Sequence, residues 1–156
     1  MPQVSLTGND TISFGSQLGG SIILTAFPDG DNAELTFPND LTTVKTGKNG
    51  NSIYALNSPG AQAQLVLRVL RGTSDHKFLL SIQTAYVSNP PGFLLLYSKI
   101  TKRIGDGRGG ITNDTYNLQR GVPTKIPGTT SNVGGDENQA IAVFTYMFTG
   151  GGETIQ

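Results

Sequence analysis

The sequence has no cysteine and a single histidine, and these absences exclude several kinds of chemistry. Without cysteine the chain forms no disulfide, and one histidine cannot assemble the His or Cys clusters that bind zinc. Ser-His-Asp catalysis would have to use His76, yet neither FGSQ nor RGTS matches the G-x-S-x-G pattern. His76 is therefore expected to be a surface or helix-capping residue. We predict no catalytic, cofactor-binding or metal-binding residues, no cofactor, and no enzyme activity.

Charge is also scarce. Eleven basic and eleven acidic residues cancel, and charged residues make up only 14% of the chain. No basic stripe is present to hold phosphate groups, so tight nucleic-acid binding is not expected. A surface with so little charge favours a protein that partners largely cover, although a small neutral soluble protein remains the alternative.

Long hydrophobic runs are missing as well. No apolar stretch approaches the roughly 18 residues of a membrane span. Residues 1–10 have neither the basic nor the apolar region of a signal peptide, so a cytoplasmic product with no membrane partner is expected. Residues 1–20 are polar and rich in glycine, and we predict that they form a flexible N-terminal segment of a single domain spanning 1–156.

The first half of the chain contains strand patterns instead. Residues 21–27, 33–37 and 41–45 are short strand-like runs. Asn49-Gly50, flanked by apolar residues, predicts a hairpin closed by a two-residue primed turn, in which both central residues have positive φ. Residues 62–70 then alternate between apolar and mixed positions, which predicts a strand with one wholly apolar face.

The period changes after this strand and predicts one helix over about 75–87. Ser74 is expected to be its N-cap, and Asp75 lies where the helix dipole favours a negative charge. Its apolar positions share one stripe: Phe78, Leu79, Ile82, Ala85 and Tyr86. The helix is expected to end at the sequence NPPG of residues 89–92, because proline lacks the amide that a helix needs.

Strand patterns return in the second half. We predict strands over residues 93–104, near 115–125 and over 140–148. The last of these is apolar on both faces, so either a neighbouring subunit or the helix and a loop must cover its second face. The fold class predicted from these patterns is mainly β, an antiparallel β-sandwich or barrel with one flanking helix.

The order of these segments carries a resemblance to a known family. FPND is followed by KTGKNGNSIYALN, a strand ending in RVLRG, and SDHKF at the start of a helix. TYNLQRGV at residues 115–122 and DENQAIAVFTYMF at residues 136–148 then complete the pattern. This arrangement resembles the tail tube proteins of contractile-tailed bacteriophages, and the likeness extends from about Phe27 onward.

The resemblance implies a structural, ring-forming subunit of the virion tail that is assembled in the host cytoplasm. Six copies would form a ring, and stacked rings would form a tube through which DNA passes without specific binding. Four strands of each subunit would join into a continuous barrel around the lumen. The other implied partners are the tail sheath protein, the tape measure protein, and the baseplate and tail terminator proteins.

Candidate contact residues follow from this expectation. The hairpin tip, Lys48, Asn49, Gly50 and Asn51, is a candidate for contacts between subunits, as are residues 9–20, 46–52 and 127–139. The candidate lumen face consists of Gln62, Gln64 and Arg68. Two alternatives remain: the tube of a related secretion or injection particle with protein cargo, and a carbohydrate-binding or capsid-decorating β-sandwich. The latter lacks the tryptophan platform that such binders favour.

Overall fold

A computed structural model describes residues 5–6, 10–16, 20–27, 33–129, 131, 134 and 137–155. These residues form ten strands and one α-helix, and all strand pairs among them are antiparallel. The predicted class, mainly antiparallel β with one flanking helix, is confirmed. The elements are β1 (Ser5–Leu6), β2 (Thr11–Ser16), β3 (Gly20–Leu24), β4 (Ala33–Thr36), β5 (Thr42–Thr46), β6 (Ser52–Leu56), β7 (Ala63–Leu70), α1 (Ser74–Ser88), β8 (Leu96–Gly105), β9 (Ile111–Lys125) and β10 (Ile141–Ile155).

The main sheet is open but strongly curled. Its strand order is β3-β2-β8-β9-β10-β7-β4, with β1 also paired to β8, whereas β5 and β6 form a separate two-stranded sheet. In a flat sheet β2 and β10 would be about 14 Å apart, since three strand spacings separate them. The rings of Phe14 on β2 and Tyr146 on β10 nevertheless have centroids 4.7 Å apart. The sheet therefore folds over itself, and the core lies inside the fold.

The chain after β3, at one end of the curled sheet, meets β7 next to the start of α1. The backbone N–H of Leu70 in β7 donates to the carbonyl oxygen of Ala26, just after β3, at 2.9 Å. Asp75 Oδ2 accepts the backbone N–H groups of Thr25 and Ala26, each at 2.7 Å. The Asp75 side chain is buried in this contact, so it holds the chain after β3 against the helix.

The inner faces of β7 and β10 agree with the alternation in the sequence. Their fully buried residues are Ala63, Leu65, Leu67, Val69, Ala142, Phe144, Tyr146 and Phe148. Burial raises the pKa of the Tyr146 hydroxyl. The outer face of β10 is only partly covered, because Thr145 is buried while Val143 remains 39% exposed.

Helix α1 confirms the predicted helix but begins with a different cap. Thr73, in extended conformation, is the N-cap, and its Oγ1 accepts the backbone N–H of His76 at 3.3 Å. The prediction that Ser74 caps the helix was wrong, because Ser74 already lies in the first turn. His76 Nδ1 accepts the backbone N–H of Gly72 at 3.0 Å, and its ring packs edge-on against Phe144.

The N-terminal segment contains a strand that the sequence did not indicate. Within residues 1–20, expected to be a flexible segment, Thr11–Ser16 form β2, which lies between β3 and β8, whereas residues 1–4, 7–9 and 17–19 lie outside the described residues. Ile12 and Phe14 point into the core and are buried. The strand has a physical cause, because the Phe14 ring packs against Tyr146 and Phe148 of β10 despite its polar and glycine-rich surroundings.

The predicted hairpin is present, but its turn differs from the prediction. The β5–β6 ladder ends at the pair Thr46 and Ser52, which leaves a five-residue loop. The backbone N–H of Gly50 donates to the Gly47 carbonyl at 3.1 Å, and only Gly50 of the two expected residues has a positive φ, 82°. The predicted two-residue primed turn was therefore wrong, because the turn spans residues 47–50.

Candidate assembly surface

The β5–β6 hairpin exposes apolar side chains on both faces. Val44 and Tyr54 lie opposite each other on one face and are 55% and 72% exposed. Leu56 shares their face, and Ile53 lies on the other face opposite Lys45. A two-stranded hairpin alone is marginally stable in water, and exposed apolar surface of this kind marks an interaction site. The hairpin therefore has the composition of a contact element.

The base of the hairpin is fixed to the rest of the fold. The backbone N–H of Asn57 donates to the Leu41 carbonyl at 2.8 Å, and Asn57 Nδ2 donates to Thr43 Oγ1 at 2.9 Å. Gly60 is buried there, and a Cβ at this position would lie 2.7 Å from Leu41 Cα. The hairpin consequently projects from an ordered base.

The structure brings the predicted contact residues Lys48, Asn49, Gly50 and Asn51 together at the exposed tip of this hairpin. The hairpin contains two lysines, Lys45 and Lys48, and no acidic residue between Thr42 and Leu56. It therefore presents a net positive charge beside its apolar side chains. Of the other predicted contact segments, residues 9–20 and 127–139 lie partly outside the described residues.

The predicted lumen residues occupy two different places. Gln64 and Arg68 share the outer face of β7, where both are half-buried. Gln62 precedes β7, and its Oε1 accepts a hydrogen bond from Asn39 Nδ2 at 2.8 Å. Two of the three residues thus share a sheet face, and their position in a lumen stays a prediction.

A second exposed feature is the edge of β10, which we define as residues 150–155. The pairing of β10 with β7 ends at Phe148 and Ala63, and beyond it the ladder of β10 described by the structure is with β9 alone. Ile155 on β10 is 64% exposed at this edge. An unpaired edge presents backbone N–H and C=O groups that another strand can bind.

Two carboxylates lie beside this edge. Asp114 and Tyr116 share one face of β9, and Glu153 on β10 lies opposite Tyr116. The hydrogen bond with Asp114, desolvation and the charge of Asp114 together raise the pKa of Glu153. Within the part of the chain that the structure describes, Asp114 Oδ1 is a buried oxygen without a hydrogen-bond partner. The pair therefore concentrates negative charge at the β10 edge.

Replacing Asp114 with asparagine is expected to lower the pKa of Glu153 towards its ordinary value. The substitution removes the Asp114 carboxyl group, whose hydrogen bond and negative charge both disfavour ionisation of Glu153. Carbon-detected NMR titration of the glutamate carboxyl groups at low protein concentration measures this shift. Asp40→Asn is the matched control, and an unchanged Glu153 pKa in Asp114→Asn would contradict the coupling.

The described residues contain no group of three His, Asp or Glu side chains arranged to hold a metal ion. No helix among them is long and apolar enough to cross a membrane. An open groove of about 630 Å³ lies over the start of β8 and is lined by residues 93–97 together with Gln119 and Arg120. Its lining includes no set of acid, base and nucleophile groups.

The fold has a counterpart among solved structures. This chain is similar to a chain in the cryo-EM structure of the anti-feeding prophage (AFP) baseplate, 6-fold symmetrised. The TM-score is 0.57 and the identity 12%, over 100% of this chain and 97% of that chain. The two proteins share a fold. No protein-family model matches the chain, and its sequence matches no curated protein.

Proposed function

We propose that this chain is a structural subunit of a hexameric ring and that such rings stack into the tube of a contractile phage tail. The observation that carries the proposal is the β5–β6 hairpin, which is apolar, anchored at its base and exposed on both faces. A monomer gains nothing from such a hairpin in water, whereas a neighbouring copy would bury it.

The shared fold supports this proposal. The similar chain belongs to an assembly that was symmetrised six-fold, and the likeness covers nearly the whole of both chains. The segment order of the sequence independently resembles tail tube proteins. Together they favour a non-enzymatic component of a phage-tail-like particle, with the tail sheath, tape measure, baseplate and tail terminator proteins as its further partners.

The charge balance suits a conduit for DNA. Eleven basic and eleven acidic residues leave no net charge, so phosphates in transit would meet few attractive sites. The half-buried outer face of β7, where Gln64 and Arg68 alternate with Val66 and Leu70, is the proposed lumen surface together with Gln62. The same tube in a secretion or injection particle would carry protein instead.

A second candidate is a ring at the end of the tube, because the similar chain was solved as part of a baseplate. The two functions differ in repetition, since a tube subunit stacks many times whereas a baseplate subunit forms one ring of fixed stoichiometry. Negative-stain electron microscopy of the purified protein at high concentration separates them. Striated tubes are expected, single rings would favour the baseplate, and monomers that persist after addition of a baseplate-like nucleus would overturn both.

The double variant Ile53→Thr/Leu56→Thr is expected to prevent assembly without unfolding the subunit. Each exposed apolar side chain that an interface buries contributes about 1.5 to 2 kcal/mol, so the concentration needed for assembly should rise on the order of 100-fold. Threonine keeps the strand propensity of both positions. Sedimentation and electron microscopy measure assembly at matched concentrations.

The control for this variant is Val87→Thr, which replaces a similarly exposed apolar residue on α1. Surface substitutions of this kind change stability by about 0.5 kcal/mol or less, so both proteins should melt within about 2 °C of the original chain. Normal assembly of Ile53→Thr/Leu56→Thr would contradict the role of the hairpin. Loss of assembly in Val87→Thr would show that the effect is not specific to the hairpin.

A further inference from the structure

The β10 edge, residues 150–155, is built to accept another strand. Gly150, Gly151 and Gly152 are consecutive, and a Cβ at Gly152 would have no atom within 4 Å. The sheet face is therefore open at Gly152, and on the side away from β9 the edge itself has no ladder partner among the described residues beyond the Phe148–Ala63 pair. Beside it, Ile155 offers exposed apolar surface. Proteins normally cover or block such an edge, since it otherwise invites pairing with another chain.

The hairpin of the same molecule starts near this edge but does not cover it. A Cβ at Gly151 would lie 3.1 Å from the Phe37 ring and 3.3 Å from the Ala61 carbonyl oxygen, so the segments flanking the hairpin contact the start of the edge. Strands β5 and β6 nevertheless remain exposed along their whole length, and so do Glu153 and Ile155. Another molecule is needed to cover either surface.

The charges of the two surfaces are complementary. The hairpin carries Lys45 and Lys48 and no acidic residue, whereas Asp114 and Glu153 lie together beside the edge. On β8, Lys102 lies directly opposite Asp114 of β9. It is the other charged residue in this cross-strand row, and its side chain is exposed. A lysine from a second copy would compensate the carboxylate pair, and complementary charges of this kind fix the register of an interface.

We propose, on the basis of the proposed ring function, that the β5–β6 hairpin of one copy docks on the β10 edge of a second copy, with Lys48 facing Asp114 and Glu153. Leu56 of the hairpin then contacts Ile155, which shares a sheet face with Asp114 and Glu153. The hairpin and the β10 edge are different surfaces of the same chain, so the contact between two copies is head-to-tail. Head-to-tail contacts generate closed rings or open helical tubes rather than isolated dimers.

Charge reversal tests the proposed pairing. Lys48→Glu and Glu153→Lys should each raise the concentration required for assembly about tenfold, and the double variant Lys48→Glu/Glu153→Lys should return it to within about threefold of the original value. Sedimentation gives these concentrations, and thermal melting checks that each monomer is folded. Lys77→Glu on α1 is the control, because it makes the same charge change at an exposed site outside both surfaces.

A cross-linking experiment provides a second measurement. Because the chain has no cysteine, a mixture of the single variants Lys48→Cys and Glu153→Cys can be joined by a short bis-maleimide only at the introduced thiols. A covalent dimer is expected from the mixture, and a mixture of Val87→Cys with Glu153→Cys should give none. If the original chain assembles, but Lys48→Glu/Glu153→Lys does not restore assembly and the cysteine variants give no covalent dimer, the docking proposal alone is overturned. Failure of the original chain to assemble would overturn the ring function with it.

Discussion

Asp75→Ala is expected to lower the free energy of unfolding by about 3 kcal/mol. Asp75 Oδ2 accepts the backbone N–H groups of Thr25 and Ala26 at 2.7 Å, and its side chain is 5% exposed. Hydrogen bonds to a charged acceptor contribute about 1.5 to 3 kcal/mol each, and alanine would leave both donors without this partner. For a domain of this size the melting temperature should fall by roughly 6 to 12 °C.

The position of Asp75 makes this effect larger than that of an ordinary first-turn carboxylate. It joins α1 to the chain after β3, where that chain meets β7, and the Leu70–Ala26 hydrogen bond lies next to it. Hydrogen exchange at the amide of Leu70 should therefore accelerate in Asp75→Ala. Asp75→Asn keeps one acceptor oxygen and should lose only about 1 kcal/mol.

Asp40→Ala removes an exposed carboxylate near the hairpin base and is the control for this series. Its melting temperature should stay close to that of the original chain, since surface substitutions change stability by about 0.5 kcal/mol or less. Equal melting temperatures for Asp75→Ala and Asp40→Ala would contradict the role of Asp75 in holding the chain after β3 against α1.

The sequence predicts those parts of the fold that depend on local periodicity. Strand β7 alternates between apolar and mixed positions, and its inner residues are buried as this period requires. Helix α1 has a change of period at its start and two prolines after its end, so both ends lie close to the prediction. These signals are contained within about ten residues of chain.

Elements that depend on distant partners were harder to predict. Strand β2 has only two buried apolar residues, Ile12 and Phe14, and its burial depends on β10 at the other end of the chain. The extension of β10 to Ile155 passes through three glycines, which have low strand propensity, and its ladder with β9 holds it in place. Tertiary contacts therefore decide these two strands.

The candidate assembly surface shows the same division. The Asn49-Gly50 signal located the hairpin and its exposed tip, although the turn geometry was wrong. The approach of Asp114 to Glu153 follows from the β9–β10 register, which no local pattern specifies. The sequence therefore indicates the hairpin of the proposed contact, but it contains no signal for the β10 edge on which the hairpin docks.

The β9–β10 register also places Gly121 opposite Phe148, at the strand pair that runs through the core. A Cβ on Gly121 would lie 2.3 Å from Phe148 Cε1 and 2.5 Å from its Cδ1. The Phe148 ring is fully buried and packs against Phe14 with centroids 6.3 Å apart, so a shift of the ring would disturb the core packing. Gly121 is thus required by close packing.

Gly121→Ala is therefore expected to destabilise the fold by about 2 to 3 kcal/mol, since overpacking of a dense core forces side chains and backbone to shift. Gly128→Ala is the matched control: a Cβ there meets no atom within 4 Å, and alanine should leave stability unchanged or raise it slightly. Chemical denaturation of both variants gives the free energies.

A double-mutant cycle with Phe148→Leu identifies the cause. If the ring of Phe148 is what opposes the new methyl group, the double variant Gly121→Ala/Phe148→Leu should be more stable than the sum of the two single losses by about 1 kcal/mol or more. Additive losses would instead assign the effect of Gly121→Ala to the backbone of β9. The close packing of Gly121 on Phe148 would then not be its cause, and the strand itself would be the element that requires glycine.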